Sequence, residues 1–448
     1  MIDPVHCMDR HLARFQGAVE FKRLSRRSPD ARFLFVHDPA HNRQVLMQQH
    51  SLKTAGLWPL AGRPRSAQEL LRNNMLNSGN HDLFDDMVNH HFSRKRVVEI
   101  FAGIKASTAA EIGEHTFGLC DVHALAKRFA QRNVLTLLFG EQESNRVYAL
   151  GKLIDDYHNA NWSRAAHFFP VDMAWTPYGR AKALAEMLHP AMVDWIEEAR
   201  NAPPHCNLRS ALLDMAGKND CPVSHVAGTA ALLGFAGYGT MASVFAWAVV
   251  LLALHPGIMG DLADELSKKP RVNDIDYATL AALPLLDAVV NEVMRLITPA
   301  PVLSFRTREP CEVAGLELAA NSRILVGAHL THRTPDIYPA PDRFRPDRWF
   351  SIKPSTYEFL PFSGGQRRCP GYWFALTALK VGLATLLERF RAQIPAGARI
   401  DRAYAALTVP KRGAPIELLP PHATVRVAPC SGSMFDLFVP EPDRRSIH

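Results

Sequence analysis

A single cysteine, Cys369, sits near the end of the stretch FSGGQRRCPG at residues 362–371. Pro370 suits the first turn of a helix, and an apolar helical pattern, WFALTALKVGLATLLERF, follows. Cys369 therefore reads as the start of a helix, where backbone N–H groups and the helix dipole stabilise an anion and a thiol ionises readily. Gly364, Gly365 and Gly371 let the backbone approach something large and flat, and Arg367 can reach a negative group on it. A thiolate with those neighbours has what an axial ligand of a haem iron needs.

Two further stretches carry chemistry. In NEVMRL, Glu292 and Arg295 stand three apart on one helix face and can pair there. The stretch GFAGYGTMAS, residues 234–243, lies within a segment, 221–260, that has no Asp, Glu, Lys or Arg. Gly237, Gly239 and Ala242 also spell GxGxxA, as in dinucleotide-binding folds, but that fingerprint needs a strand before it and a second strand after it. Residues 242–254 continue as helix into His255-Pro256 and leave no room for one.

Phe362, Gly365, Arg367, Cys369 and Gly371 match FxxGxRxCxG, and on those residues the chain resembles the cytochromes P-450, the haem-thiolate family. The resemblance implies haem b as cofactor, with Cys369 as the thiolate on its iron. It implies that Glu292 and Arg295 form a bracing network with Arg348 of FRPDRW, and that Arg306, shortly after Pro301, reaches a haem propionate beside Arg367. His90 and Arg94, followed by Phe101, resemble the family's HxxxR pattern and by that likeness also bind propionates. The pieces run in family order over residues 90–371.

On the distal helix the family pattern is Ala/Gly-Gly-x-Asp/Glu-Thr, an acid–alcohol pair that delivers protons to dioxygen. Ala236, Gly237 and Thr240 match it, whereas Gly239 stands where the acid belongs. The resemblance implies a monooxygenase that oxidises an apolar small molecule with dioxygen. Electrons are expected ultimately from NAD(P)H, through a separate ferredoxin or flavodoxin and its reductase. Gly239 also motivates a haem-thiolate enzyme that inserts no oxygen, such as a nitric oxide reductase, a dehydratase or an oxidative coupling catalyst. A non-catalytic haem sensor is a third reading, without a signalling segment in the sequence to support it.

The elements that must position these residues are mostly helical. Residues 30–50 read as a strand and a helix, and 82–201 as amphipathic helices interrupted by an aromatic loop at 161–179. Ala227–Leu254 is apolar enough to mimic a membrane span and reads as a helix buried through a large core rather than as a stable span. After the Glu292 helix, residues 302–328 alternate like short strands, and a proline-rich meander leads to the cysteine turn. The expected fold is mainly α with small β-sheets: one haem domain over residues 1–420 and a C-terminal extension, 421–448, of unassigned role. Residues 66–80, the 161–179 loop with Phe168, Phe169 and Trp175, Ala300–Leu303 and Leu407–Val409 fall where the family gathers substrate contacts.

Composition is that of a soluble globular chain of 448 residues with 21% charged side chains and a net charge of +7. Its seven cysteines are scattered, without zinc-like spacing or a disulfide framework, and the N-terminus lacks an apolar signal region, so a cytoplasmic protein is expected. Residues 340–412 carry 13 basic against 5 acidic residues, a field around the cysteine turn that suits an acidic partner protein. No zinc finger, aromatic RNA-binding signature or basic zipper is present, so nucleic acid is not an expected partner.

Overall fold

The computed structural model describes residues 4–15, 17–21, 30–48, 51–54, 67, 70, 90–161, 166, 171–203, 206–218, 222–365, 368–404 and 407–440. One sheet is built from β1 (Ala18–Phe21), β2 (Phe33–Val36), β3 (Leu52–Thr54), β5 (Leu303–Thr307) and β6 (Arg323–Val326). It is five-stranded and mixed, in the order β1-β2-β6-β5-β3. β2 and β6 pair in parallel and every other neighbour is antiparallel. Helix α1 (Pro39–Met47) follows β2; Asp38 accepts from the Ala40 N–H at 2.8 Å and Pro39 occupies the first turn, where its missing donor costs nothing. β4 (Gly118–Asp121) joins the C-terminal strands Arg391–Gln393 and Pro415–Leu419 in a second small sheet.

Helices make up the rest: α2 (Arg94–Glu99), α3 (Phe101–Ile112), α4 (Val122–Gln131), α5 (Ser144–Asn161), α6 (Pro177–Glu197), α7 (Leu208–Lys218), α8 (Val223–Leu254), α9 (Pro256–Ser267), α10 (Tyr277–Ala281), α11 (Pro284–Leu296), α12 (Ala328–Thr331) and α13 (Tyr372–Arg389). The charge-free segment is α8, a helix of 32 residues, and it runs through the core as expected. It packs on α4, α5, α6, α7, α11 and α13, and from Phe245 to Leu251 it is fully buried. An apolar helix that other helices bury over most of its length needs no membrane. Close approach of α13 depends on Gly382, where an added Cβ would stand 2.8 Å from Phe245 and 2.9 Å from Phe129.

The segment expected as a C-terminal extension packs, over its described residues, against the main body. Met434, Leu437 and Phe438 are buried in the main core, and the Ser431 N–H donates to the Ala398 carbonyl while Ile400 N–H donates back to Ser431, both at 2.9 Å. Val439 N–H reaches Asp342 O at 2.8 Å, and an Arg333 guanidinium N–H reaches Leu437 O at 2.7 Å. Residues 421–440 are therefore part of the folded body. They lack periodicity because they are held by single backbone bonds and three apolar anchors rather than as one regular element.

Candidate active site

The cysteine turn is built by two residues in left-handed backbone conformation, Ser363 (φ 58°) and Gly365 (φ 66°). Gly365 tolerates it without strain, and Ser363 is held there by the bonds that close the turn. Cys369 N–H donates to Phe362 O at 2.8 Å and Arg368 N–H to Gly365 O at 3.2 Å. Phe362 meets Tyr372 edge-on at 4.9 Å, and the Arg368 guanidinium lies over that same tyrosine at 4.0 Å. Gly364 is needed for close packing, since a Cβ there would come within 3.0 Å of Thr356 O. Arg367 lies outside the described residues.

Two expectations about Cys369 are corrected. Helix α13 begins at Tyr372 with Gly371 as its cap, so Cys369 and Pro370 precede the helix rather than open it. The thiol is also not made acidic by the protein: burial pushes its pKa up, and the Gly371 N–H and Arg368 only partly oppose that. The side chain nevertheless keeps exposed surface. A thiol that burial keeps protonated still suits a ligand, because a coordinating metal deprotonates it outright.

Behind the turn lies the bracing network, with all three expected residues together. Arg295 donates through Nε and a terminal nitrogen to the two Glu292 oxygens, both at 2.9 Å, and Arg348 Nε donates to Glu292 Oε1 at 3.0 Å. The same carboxylate accepts from Trp349 Nε1 and from the Arg345 N–H, each at 2.9 Å. The remaining Arg295 and Arg348 nitrogens are taken by carbonyls of the meander, among them Pro341, Arg343, Pro339 and Ala340. A buried ion pair survives only with its lone pairs and protons satisfied in this way.

Sequence reasoning missed Trp349 and His332. Leu360 N–H donates to His332 Nε2 at 2.8 Å, which makes Nε2 the acceptor and places the ring proton on Nδ1, beside Thr298 Oγ1 at 3.0 Å and Arg295 O at 3.2 Å. Burial holds this imidazole neutral, well below its ordinary pKa. It thus ties the strand of chain entering the cysteine turn to the C-terminal end of α11. No local motif marks it, because its partners lie 28 to 37 positions away.

On α8, Ala236 is exposed and Gly237, Gly239 and Thr240 are half-buried, while Gly234 and Tyr238 are buried. The helix has one open side there, lined by small residues. Thr240 Oγ1 donates to Ala236 O at 2.8 Å. A Cβ on Gly239 would stand 3.1 Å from Leu407 Cδ1, so an aliphatic side chain presses on the place of the missing acid. Arg306, on β5, has a buried Nε without a hydrogen-bond partner.

His90 and Arg94, the pair expected at the propionates, lie four positions apart beside aromatic rings. His90 is exposed and meets His91 edge-on at 4.8 Å. Arg94, also exposed, lies over the rings of Tyr277 at 5.6 Å and Trp373 at 5.4 Å. Cation–π attraction to the two rings orients the Arg94 guanidinium at the start of α2. Of the residues expected at the substrate mouth, Trp175 is largely exposed, and Phe168 and Phe169 lie outside the described residues.

These residues fit a haem. The donor set offers one exposed cysteine on a turn, Arg306 supplies a buried cation with a spare donor for an acidic substituent, and the small side chains of α8 leave room for a flat ring. The comparisons agree. The family model for cytochrome P450 matches residues 34–417, and the chain belongs to that family. It is 30% identical over 258 residues to methyltetrahydroprotoberberine 14-monooxygenase of Papaver somniferum, a match covering 53% of this chain and 49% of the relative. It is 32% identical over 254 residues to putative cytochrome P450 139 of Mycobacterium tuberculosis, covering 53% of this chain and 58% of the relative. The matches thus span about half the length of these relatives. Among solved structures, a cyanobacterial CYP120A1 with bound retinoic acid superposes with a TM-score of 0.76 at 20% identity, covering 94% of this chain and 95% of its own. A zebrafish cytochrome P450 with abiraterone gives 0.75 at 19% identity, over 94% and 100%.

Proposed function

We propose that this protein is a haem-thiolate monooxygenase of the cytoplasm that oxidises an apolar small molecule. The observation that carries the reading is the cysteine turn itself: Cys369 is held by its own N–H on Phe362 O and stays exposed, and the expected Glu292–Arg295–Arg348 brace is assembled and fully satisfied. Bound haem supplies the one-electron and dioxygen chemistry. The chain's residues supply the rest. Cys369 offers the thiolate, Arg306 neutralises an acidic substituent, and the Glu292 brace keeps the turn from shifting. Thr240 presents a hydroxyl at the open side of α8 that can orient water and pass a proton. Since no carboxylate stands on α8, that proton comes through water or from another segment.

Electrons are proposed to come from NAD(P)H through a ferredoxin or flavodoxin and its reductase, and the basic excess around residues 340–412 supports docking of such an acidic partner. Turnover with isotopically labelled dioxygen and a surrogate ferredoxin tests the reading: labelled oxygen in the organic product supports it. The second reading, a haem-thiolate enzyme without oxygen insertion, is favoured by the Leu407 side chain against Gly239. Reducing equivalents consumed with a substrate converted but unlabelled would support that reading instead.

A further inference from the structure

Two polar side chains near the C-terminal end of α5 are buried without partners. His158 is 3% exposed and Asn161 6%. Neither ring nitrogen of His158 nor Asn161 Oδ1 has a hydrogen-bond partner. A backbone contact with Ala231 favours the charged imidazole, but neither ring nitrogen reaches ordinary hydrogen-bond geometry. Standing three apart, the two residues share one helix face. That face is turned to α8, where His158 stacks on Phe235 with ring centroids 4.2 Å apart and planes 21° from parallel.

Phe235 is half-buried, and its ring lies 3.7 Å from where a Cβ on Gly239 would stand. The polar pair is therefore one aromatic ring away from the open side of the distal helix. Folded proteins leave few buried polar atoms unsatisfied, and two such residues side by side next to the distal helix call for an explanation.

We propose that His158 and Asn161 bind a neutral hydrogen-bonding group of the substrate, a hydroxyl above all, so that the substrate is an apolar molecule with a polar handle. This rests on the haem-enzyme reading above and adds the substrate class. A neutral imidazole offers one N–H and one lone pair, and Asn161 Oδ1 adds an acceptor; a hydroxyl, both donor and acceptor, satisfies such a set. A carboxylate would have to lose its water beside an imidazole that burial keeps uncharged, with its pKa pushed down to about 3. Ionised fatty acids are disfavoured on that ground. Phe235 meanwhile supplies the apolar wall along which the body of the ligand lies.

The test is equilibrium titration of the ferric holoprotein, read by the haem spin-state shift. The probes are matched pairs, borneol against bornane and 1-dodecanol against dodecane, with dodecanoate as the charged control. His158→Phe keeps the stack on Phe235, and Asn161→Leu keeps the volume. In the wild type each alcohol is expected to bind about tenfold tighter than its hydrocarbon and at least as much tighter than dodecanoate, and each variant to lose about tenfold for the alcohol alone, the worth of one good hydrogen bond. Both variants should melt no lower than the wild type, because they remove polar atoms that have no partner. Unchanged discrimination in the variants, tighter binding of dodecanoate, or a lowered melting temperature would overturn the proposal and leave the enzyme reading standing. Absence of any shift with every probe, in a protein with an intact haem spectrum, would count against both.

Discussion

Arg348 Nε donates to Glu292 Oε1 at 3.0 Å across 56 positions of sequence, and this bond locks the meander onto α11. The carboxylate it meets is fully buried and already holds Arg295, Trp349 and the Arg345 N–H. Glu292→Gln leaves two buried guanidinium groups facing a neutral amide. A loss of about 3–5 kcal/mol is expected. Chemical denaturation and the haem-to-protein ratio after purification check it, and a variant with native stability and full haem content would refute the bracing role.

Cys369→Ser keeps the turn, since the bond from residue 369 to Phe362 O is made by the backbone. The apoprotein is expected to melt within about 1 kcal/mol of the wild type in stability, as surface-accessible substitutions usually do. The loaded protein should lose the thiolate signature of its carbon monoxide difference spectrum. Retention of that signature would exclude Cys369 as the ligand.

Gly239→Asp places a carboxylate against Leu407 and Phe235, both apolar and within 4 Å of the new Cβ. A destabilisation of about 1–3 kcal/mol is expected, because the charge must lose water there. Leu407→Ala in the same chain should recover part of it. If the monooxygenase reading holds, the double variant should also form more product per reducing equivalent than the wild type. Identical coupling in both proteins would shift the balance toward the reading without oxygen insertion.

Three buried histidines give a pH dependence of stability. His332 is held well below the ordinary value of 6.5, His329 near 4 and His158 near 3, each chiefly by burial. In the unfolded chain they bind a proton near pH 6.5, whereas the folded protein resists protonation. Stability is therefore full above about pH 6.5 and falls as the pH drops toward the folded values, by up to about 1.4 kcal/mol per pH unit for each histidine. Urea melts at pH 7.5 and pH 5 test the slope, and His158→Phe should flatten it by its own share. A protein equally stable at both values would contradict the neutral, buried assignment.

Truncation after Pro420 removes Met434, Leu437 and Phe438 from the core and the Leu437 carbonyl from Arg333. Each buried apolar side chain contributes roughly 1.5–3 kcal/mol, so a marked fall in melting temperature and in haem retention is expected. An unchanged melting curve would show that residues 421–440 add nothing to the stability of the body.

Much of this site was legible in the residues because its motifs obey local geometry. Cys369 with its glycines, Glu292 with Arg295, and the small residues around Thr240 lie within one turn or one helix, where spacing alone sets which side chains share a face. That Ala227–Leu254 would be a buried helix followed from its lack of charge and from the polar chain on either side. Tertiary structure alone decided the rest. It set burial against the nearby N–H and Arg368 at the Cys369 thiol, and it laid Arg94 over Tyr277 and Trp373. It also brought His332 to Leu360, Leu407 to Gly239 and residues 431–439 onto Ala398, Arg333 and Asp342. Each of those contacts joins parts of the chain far apart in sequence, so its energy depends on how the whole core closes and leaves no periodic trace in the residues that make it.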